Sequence, residues 1–195
     1  MRGLAVFLAL TAGAAQAACP GAGDLDTGIR MVGSDGSTDT YLREPGGLVR
    51  GIYSDGGSRG SKYLLMRGIY MVEIFDTENG SPVAGSRSTY AYPVTAETAP
   101  MPTPGGRWDT LVTILDRGEL KSHTESFVFG DATRVTLGAC GYDMLPITAI
   151  YHNEDGYQER LHYLPELGFA YLAATQERGQ AADPVVYIAI ERVAP

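Results

Sequence analysis

The sequence predicts a mainly β protein: a single-domain antiparallel meander of about ten strands, with little or no helix after an N-terminal leader. Three observations carry this expectation. Gly (25 of 195 residues) and Tyr (12) are abundant, and Val, Ile and Thr recur in short runs. Turn residues separate these runs at close intervals. No window sets apolar residues at helical spacing over a length that supports a helix. About ten such strands must curl or split to bury an apolar face, so a sandwich, a half-open barrel and a closed barrel all stay open at this point.

The elements follow in chain order. "MRGLAVFLALTAGAAQA" has the parts of a secretory signal: a positive start at Arg2, an apolar run from Leu4, and a small-residue site at Ala15-Gln16-Ala17. Cleavage is expected before Ala18, leaving residues 18–195 as one all-β domain. The apolar core of 1–17 is too short to span a bilayer, and no later stretch is long and apolar enough to do so. Weaker strands are expected at "GIRMV", "TYLRE" and "LVRGIYS". Residues 61–77 read as one strand that turns at Asn79-Gly80, where both residues tolerate positive φ, and returns as "SPVAGSRSTYAYPV". Pro-rich residues 96–106 read as a long loop. "RWDTLVTIL" turns at Asp116-Arg117-Gly118 and returns as "ELKSHTESFVFG". "TRVTLGACGY" reads as a strand ending near Cys140. "MLPITAIYHN" turns at Asp155-Gly156 and returns as "YQERLHYL", and "PVVYIAIERV" closes the chain.

Charge narrows the function classes. Loss of residues 1–17 takes one charged side chain, Arg2, and moves the net charge from −8 to −9. No basic run of four appears, so nucleic acid and anionic lipid are disfavoured partners. The two cysteines, Cys19 and Cys140, allow one intramolecular pairing, and an exported chain meets an oxidising compartment. A lipid on Cys19 would want Leu or a similar residue three positions earlier, where Gln16 stands. The expected bond is Cys19–Cys140.

Candidate chemistry is sparse. "GGSRG" matches G-x-S-x-G with Ser58 as nucleophile, but a β-like run follows where a helix is required. Asp35, Asp39 and Asp55 lie in or near two Gly/Ser loops. Each loop offers too few carboxylates for calcium, and turn chemistry accounts for them. His123 stands alone. His152 and His162 flank one hairpin, but neither a two-residue nor a three-residue turn brings them within chelating range. A two-residue turn would set His152 opposite Glu159. No C-x-x-C, H-E-x-x-H, P-loop or G-x-G-x-x-G fingerprint is present, so no catalytic, metal or cofactor residue is assigned. Tyr90 and Tyr92 share a face, as do Tyr157 and Tyr163. They read as sheet-packing residues, with ligand lining as the other role.

Residues 144–175, "MLPITAIYHNEDGYQERLHYLPELGFAYLAAT", resemble uncharacterised exported β proteins of Gram-negative bacteria. Some of these have a curved antiparallel sheet like that of periplasmic lipoprotein carriers. The resemblance implies a periplasmic or secreted location, and it carries over no functional residue. The carriers' helical lid has no counterpart here. Three function classes follow. The first is an envelope protein of structural or protein-interaction type, the favoured expectation, with a filled core and an exposed edge or apolar patch. The second is a binding or carrier module with a concave pocket lined by Tyr, Leu and Ile for an apolar ligand. The third is an enzyme, for which no constellation appears.

Overall fold

The computed structural model describes residues 19–152 and 156–194. The leader and its cleavage site lie outside the described residues. No helix among the described residues is long and apolar enough to cross a membrane. The helical content of the described residues is a 3-10 turn at Ala22–Asp26. The strands are β1 (Ile29–Gly33), β2 (Thr38–Glu44), β3 (Leu48–Ser54), β4 (Arg59–Met66), β5 (Tyr70–Glu78), β6 (Ser81–Pro82), β7 (Ser88–Ala91), β8 (Arg107–Asp116), β9 (Glu119–Phe129), β10 (Thr133–Leu137), β11 (Cys140–Tyr151), β12 (Gln158–Leu164), β13 (Phe169–Gln176), β14 (Asp183–Pro184) and β15 (Tyr187–Arg192).

All fifteen belong to one antiparallel sheet, ordered β14-β13-β12-β11-β9-β8-β7-β5-β4-β3-β2-β1-β15, with β6 added to β5 and β10 to β11. The expected class holds, but the count of about ten does not. Residues 61–77 are two strands, because the chain reverses at Arg67 and Gly68, both at positive φ (57° and 68°). Arg-Gly is a weak turn signal. The turn is fixed from outside, by Ala170 N–H donating to the Gly68 carbonyl at 2.8 Å. Residues 133–142 likewise reverse at Gly138, so Cys140 faces Leu137 and begins β11. β13 and the two-residue β6 and β14 complete the excess.

The turns expected at Asn79-Gly80 and Asp116-Arg117-Gly118 are present, the second as Arg117-Gly118 alone because Asp116 ends β8, and both loop residues of each stand at positive φ, as two-residue hairpins that match strand twist require. Residues 96–106 form a loop, held where Tyr70 Oη donates to the Pro100 carbonyl at 2.7 Å.

The two ends of the sheet are not closed by a ladder of their own. Residues 183–192 pair first with β13 and then with β1, and between those pairings Val185 N–H donates to the Ala173 carbonyl and the Val186 carbonyl accepts from Ser34 N–H. Bulges between Leu64 and Leu65 and between Arg160 and Leu161 add local curvature.

Two clusters of buried side chains form the core. One joins Leu25, Met31, Tyr41, Leu164 and Phe169, with the Tyr41 and Phe169 rings stacked 4.0 Å apart. The other joins Met66, Tyr70, Phe127, Phe129, Ile147 and Tyr163, with Trp108 set edge-on to Tyr70 at 4.7 Å. Cys19 and Cys140 are disulfide-bonded, closing 121 residues of sequence separation. Tyr142 Oη, which donates to the Pro20 carbonyl at 2.9 Å, seats the same N-terminal segment.

Candidate functional site

The sheet curves around an open-mouthed cavity of about 1010 Å³, lined in part by members of both clusters. Its wall draws on β2 to β5, β7 to β9, β11 to β13 and residues 183–187. Leu65, Ile74, Ile114, Leu161 and Leu172 supply apolar surface, and eight tyrosines supply rings with polar tips. The volume stands at the upper end of the range for small-molecule pockets. Tyr90 and Tyr92, expected to share a face, both line it.

Period-two alternation puts charge on this inner face at two places. The first is Asp39. Asp39 and Tyr41 share a face of β2, and Tyr63 reaches them from β4. Tyr41 Oη donates to Asp39 Oδ2 at 2.8 Å, and Tyr63 Oη lies 2.7 Å from both carboxylate oxygens. Gly51 makes this reach available: it pairs with Tyr41 on one side and Tyr63 on the other, and a Cβ there would sit 2.0 Å from the Tyr63 ring. Burial pushes the Asp39 carboxyl up to about 6, against the lowering effect of hydrogen bonds from Tyr63, Tyr41 and Tyr187. Burial, with the Asp39 charge beside them, also holds the Tyr41 and Tyr63 hydroxyls well above their usual range.

The second place is built on β9 and β12. His123 and Glu125 share a face with Phe127 and Phe129, and Glu159 shares one with Leu161 and Tyr163. His123 Nε2 and Glu125 Oε1 are 3.0 Å apart, and Tyr92 Oη donates to Glu125 Oε2 at 3.2 Å. Tyr151 and Tyr157 donate to the two oxygens of Glu159 at 2.8 and 3.1 Å. Burial raises both carboxyls, and the Glu159 charge raises that of Glu125 further. Lys121 also lines the cavity, but it is paired with Asp116 and Glu119, each at 3.2 Å.

Of the residues that the sequence brought forward, Asp35, Asp39, His123, Tyr90, Tyr92 and Tyr157 line the cavity, and Asp39, read there as a turn aspartate, is a buried residue of β2. Ser58 is in the β3–β4 loop with a strand after it, so no strand–turn–helix elbow forms. Asp35 accepts from the N–H and hydroxyl of Ser37, and Asp55 from the N–H groups of Gly57 and Arg59: both are turn-forming aspartates, as expected. The hairpin carrying His152 and His162 takes neither register considered. Ala149 pairs with Glu159 and Pro146 with His162, so the connection is longer, and residues 153–155, including Asp155, lie outside the described residues. His162 Nδ1 meets Tyr171 Oη at 2.9 Å, while His152 Nε2 meets Ser126 Oγ at 2.8 Å, so the histidines serve separate places and His152 does not pair with Glu159. Among the described residues no group of three or more His, Cys, Asp and Glu could hold a metal ion.

Ser126 meets both His152 and Asp109, and a Ser, a His and an Asp in contact can form a hydrolytic triad. Here Ser126 Oγ donates its one proton to Asp109 and accepts from Arg107 at 2.9 Å. His152 Nε2 must therefore donate to Ser126, which is the reverse of a general base. Asp109 touches the serine, not the imidazole Nδ1. The Arg107 guanidinium, then the Ser126 hydroxyl, holds the Asp109 carboxyl down to about 2. The group ties β8 and β9 to the end of β11 on the outer face.

No family model, curated protein or solved structure matches the chain.

Proposed function

We propose that this chain is an exported binding or carrier module that holds a small ligand inside a half-open barrel. One observation carries the reading: the cavity of about 1010 Å³, walled by Tyr, Leu and Ile, stands where a purely structural protein would place packed core. The polar centres inside it sharpen the expectation of an apolar ligand to one with an apolar body and a polar end. The disulfide suits an oxidising compartment, and with it the periplasmic or secreted location and the likeness to exported β proteins of Gram-negative bacteria. The structural or protein-interaction reading keeps one support of its own. Leu111, Leu115 and Leu120 on the β8–β9 hairpin are 60%, 46% and 74% exposed, and Leu115 pairs directly with Leu120.

A native mass spectrum of the protein taken from the periplasm separates the two. A chain carrying one small molecule, released on unfolding, supports the binding module. A chain bound to a second protein, lost in a Leu120→Glu variant, supports the interaction reading. A bare chain under gentle extraction overturns both.

A further inference from the structure

We propose that the outer face of the β8–β9 hairpin is the surface on which two copies of this chain meet as a two-fold dimer. The inference is independent of the cavity, which lies on the inner face of the same strands. Alternation fixes what the outer face presents. Val112, Ile114 and His123 are buried on the inner side, so Leu111, Thr113 and Leu115 of β8 and Leu120, Ser122 and Thr124 of β9 point outward. Three of the seven large hydrophobic side chains exposed among the described residues thus fall on one hairpin, and the pairing of Leu115 with Leu120 makes those two direct neighbours. β7 continues the face with Thr89 and Ala91. On β5 Ile74 lines the cavity, so Glu73 and Phe75 point outward. The Arg87 guanidinium covers the Phe75 ring and pairs with Glu73. An apolar centre with a self-neutral polar rim is the anatomy of a protein–protein contact.

Charge and symmetry identify the occupant as a second copy. The chain carries a net charge of −8. Yet no Asp, Glu, Lys or Arg stands at an outward position of β8 from Leu111 to Leu115 or of β9 from Leu120 to Thr124. The neighbouring Asp116, Glu119 and Lys121 pair with one another. An acidic or basic partner finds no counter-charge to dock against, whereas a second copy escapes here the like charge that repels it elsewhere. Leu111 and Leu115 stand symmetrically about Thr113 on β8. A two-fold axis through Thr113, in the plane of contact and across the strands, sets Leu111 of one copy on Leu115 of the other. Thr113 Oγ1 and Ser122 Oγ lie 3.1 Å apart, so the central hydroxyls keep a partner when water leaves. Four strands about 4.8 Å apart, each contributing about six residues, present roughly 400 Å² per copy in projection. The roughly 800 Å² of a pair fits a weak, exchanging dimer and not an obligate one. Both cavities stay uncovered, because they lie on the inner faces.

Sedimentation equilibrium of the disulfide-bonded protein, from about 1 to about 500 µM, reads the association. A monomer–dimer equilibrium with a dissociation constant of about 10–100 µM is expected. Leu115→Glu and Leu120→Glu should each raise that constant about tenfold or more, by bringing like charges face to face. Ile188→Glu, at an exposed position of β15 outside this face, should leave it unchanged. Near-UV circular dichroism checks that the variants are folded. Salt gives a reading that needs no substitution. Raising it from about 0.05 to about 0.5 M should tighten the dimer by screening the repulsion between two acidic chains, where an ion-paired contact would loosen. If a variant fails to fold, the salt response decides together with the NMR shifts that change on dilution, expected at Leu111, Thr113, Leu115, Leu120 and Ser122. A dimer that survives both leucine substitutions, or that loosens with salt, overturns the proposal. So does a chain that stays monomeric throughout; if that chain floats with phosphatidylcholine vesicles, the leucines face lipid instead. A monomer leaves the binding module standing, for the native mass spectrum to judge.

Discussion

Asp39 shows how a single buried carboxylate couples the cavity to stability. Its folded value of about 6 lies above the ordinary 3.8, so between those values the folded chain holds a proton that the unfolded chain releases. The cost of charging it is therefore absent below about pH 4, grows through pH 4 to 6, and is complete above. The gap corresponds to about 3 kcal/mol. Glu125 and Glu159, also raised, act with the same sign, whereas the lowered Asp35, Asp55, Asp109 and Asp116 lose stabilising charge only under more acidic conditions. The melting temperature should be higher at pH 5 than at pH 7.5, and Asp39→Asn, which fixes a neutral group there, should flatten much of that difference. A melting curve against pH for the two proteins checks it; an unchanged slope in the variant would show that Asp39 is not the group responsible. Gly51→Ala tests the same centre from the backbone side. The new Cβ would fall 2.0 Å from the Tyr63 ring, so the ring must swing away and give up its bonds to Asp39. The expected loss is about 2 kcal/mol in urea denaturation, the scale for a hydrogen bond to a buried charged group.

At the scale of elements, turns divide into those specified locally and those specified by what they touch. Gly80 closes the β5–β6 turn at φ 76° with open space around it, whereas Gly68 closes the β4–β5 turn at φ 68° with the Gly168 carbonyl 2.3 Å from where a Cβ would be. Gly80→Ala should cost about 1 kcal/mol, for the left-handed backbone alone. Gly68→Ala must also push apart two turns joined by the Ala170–Gly68 hydrogen bond, and should cost about 3 kcal/mol, read from the shift in urea midpoint. This contrast explains what the sequence made legible. Asn79-Gly80 declared its hairpin because its turn chemistry is self-sufficient. Arg67-Gly68 did not, because its partner lies about a hundred residues away, and one of the strands missing from the expected count follows from that. The cavity leaves a usable signal in the sequence. In "HTESFVF", His123 and Glu125 fall in phase with Phe127 and Phe129, and in "TDTYL" Asp39 falls in phase with Tyr41. A charged residue at an inward position is the mark of a polar centre in a sheet's interior. His152 and His162 offer no such signal, because the register of their hairpin depends on a connection longer than a tight turn. That Glu159 joins His123 and Glu125 required the β9–β11–β12 order, which no local pattern encodes.

The whole molecule depends on how its two sheet ends are held, since one segment, residues 183–192, bridges β13 and β1. That segment is braced at its far end by the N-terminal residues: Arg192 donates to the Cys19 carbonyl at 3.2 Å and pairs with Asp24 at 3.1 Å. Cys19 is in turn bonded to Cys140 at the start of β11, and Gly138, in the turn just before, lies against the backbone of β15 at Ile188 and Ala189. The disulfide thus acts beyond its own loop, fixing the piece of chain on which the bridging segment's end rests. For a loop of this length the chain-entropy model gives about 5 kcal/mol, a large share of the stability of an ordinary domain. A Cys19→Ser/Cys140→Ser chain should therefore unfold at a much lower urea concentration than the oxidised protein, by a difference of about 4–5 kcal/mol. If the brace matters as argued, amide exchange in native buffer should quicken first in β15 and β1, while β8 and β9, remote from the bond and joined by the longest ladder of the sheet, keep their protection. Uniform acceleration across all strands would mean that the bond acts only on the unfolded chain and that the two sheet ends are held without it.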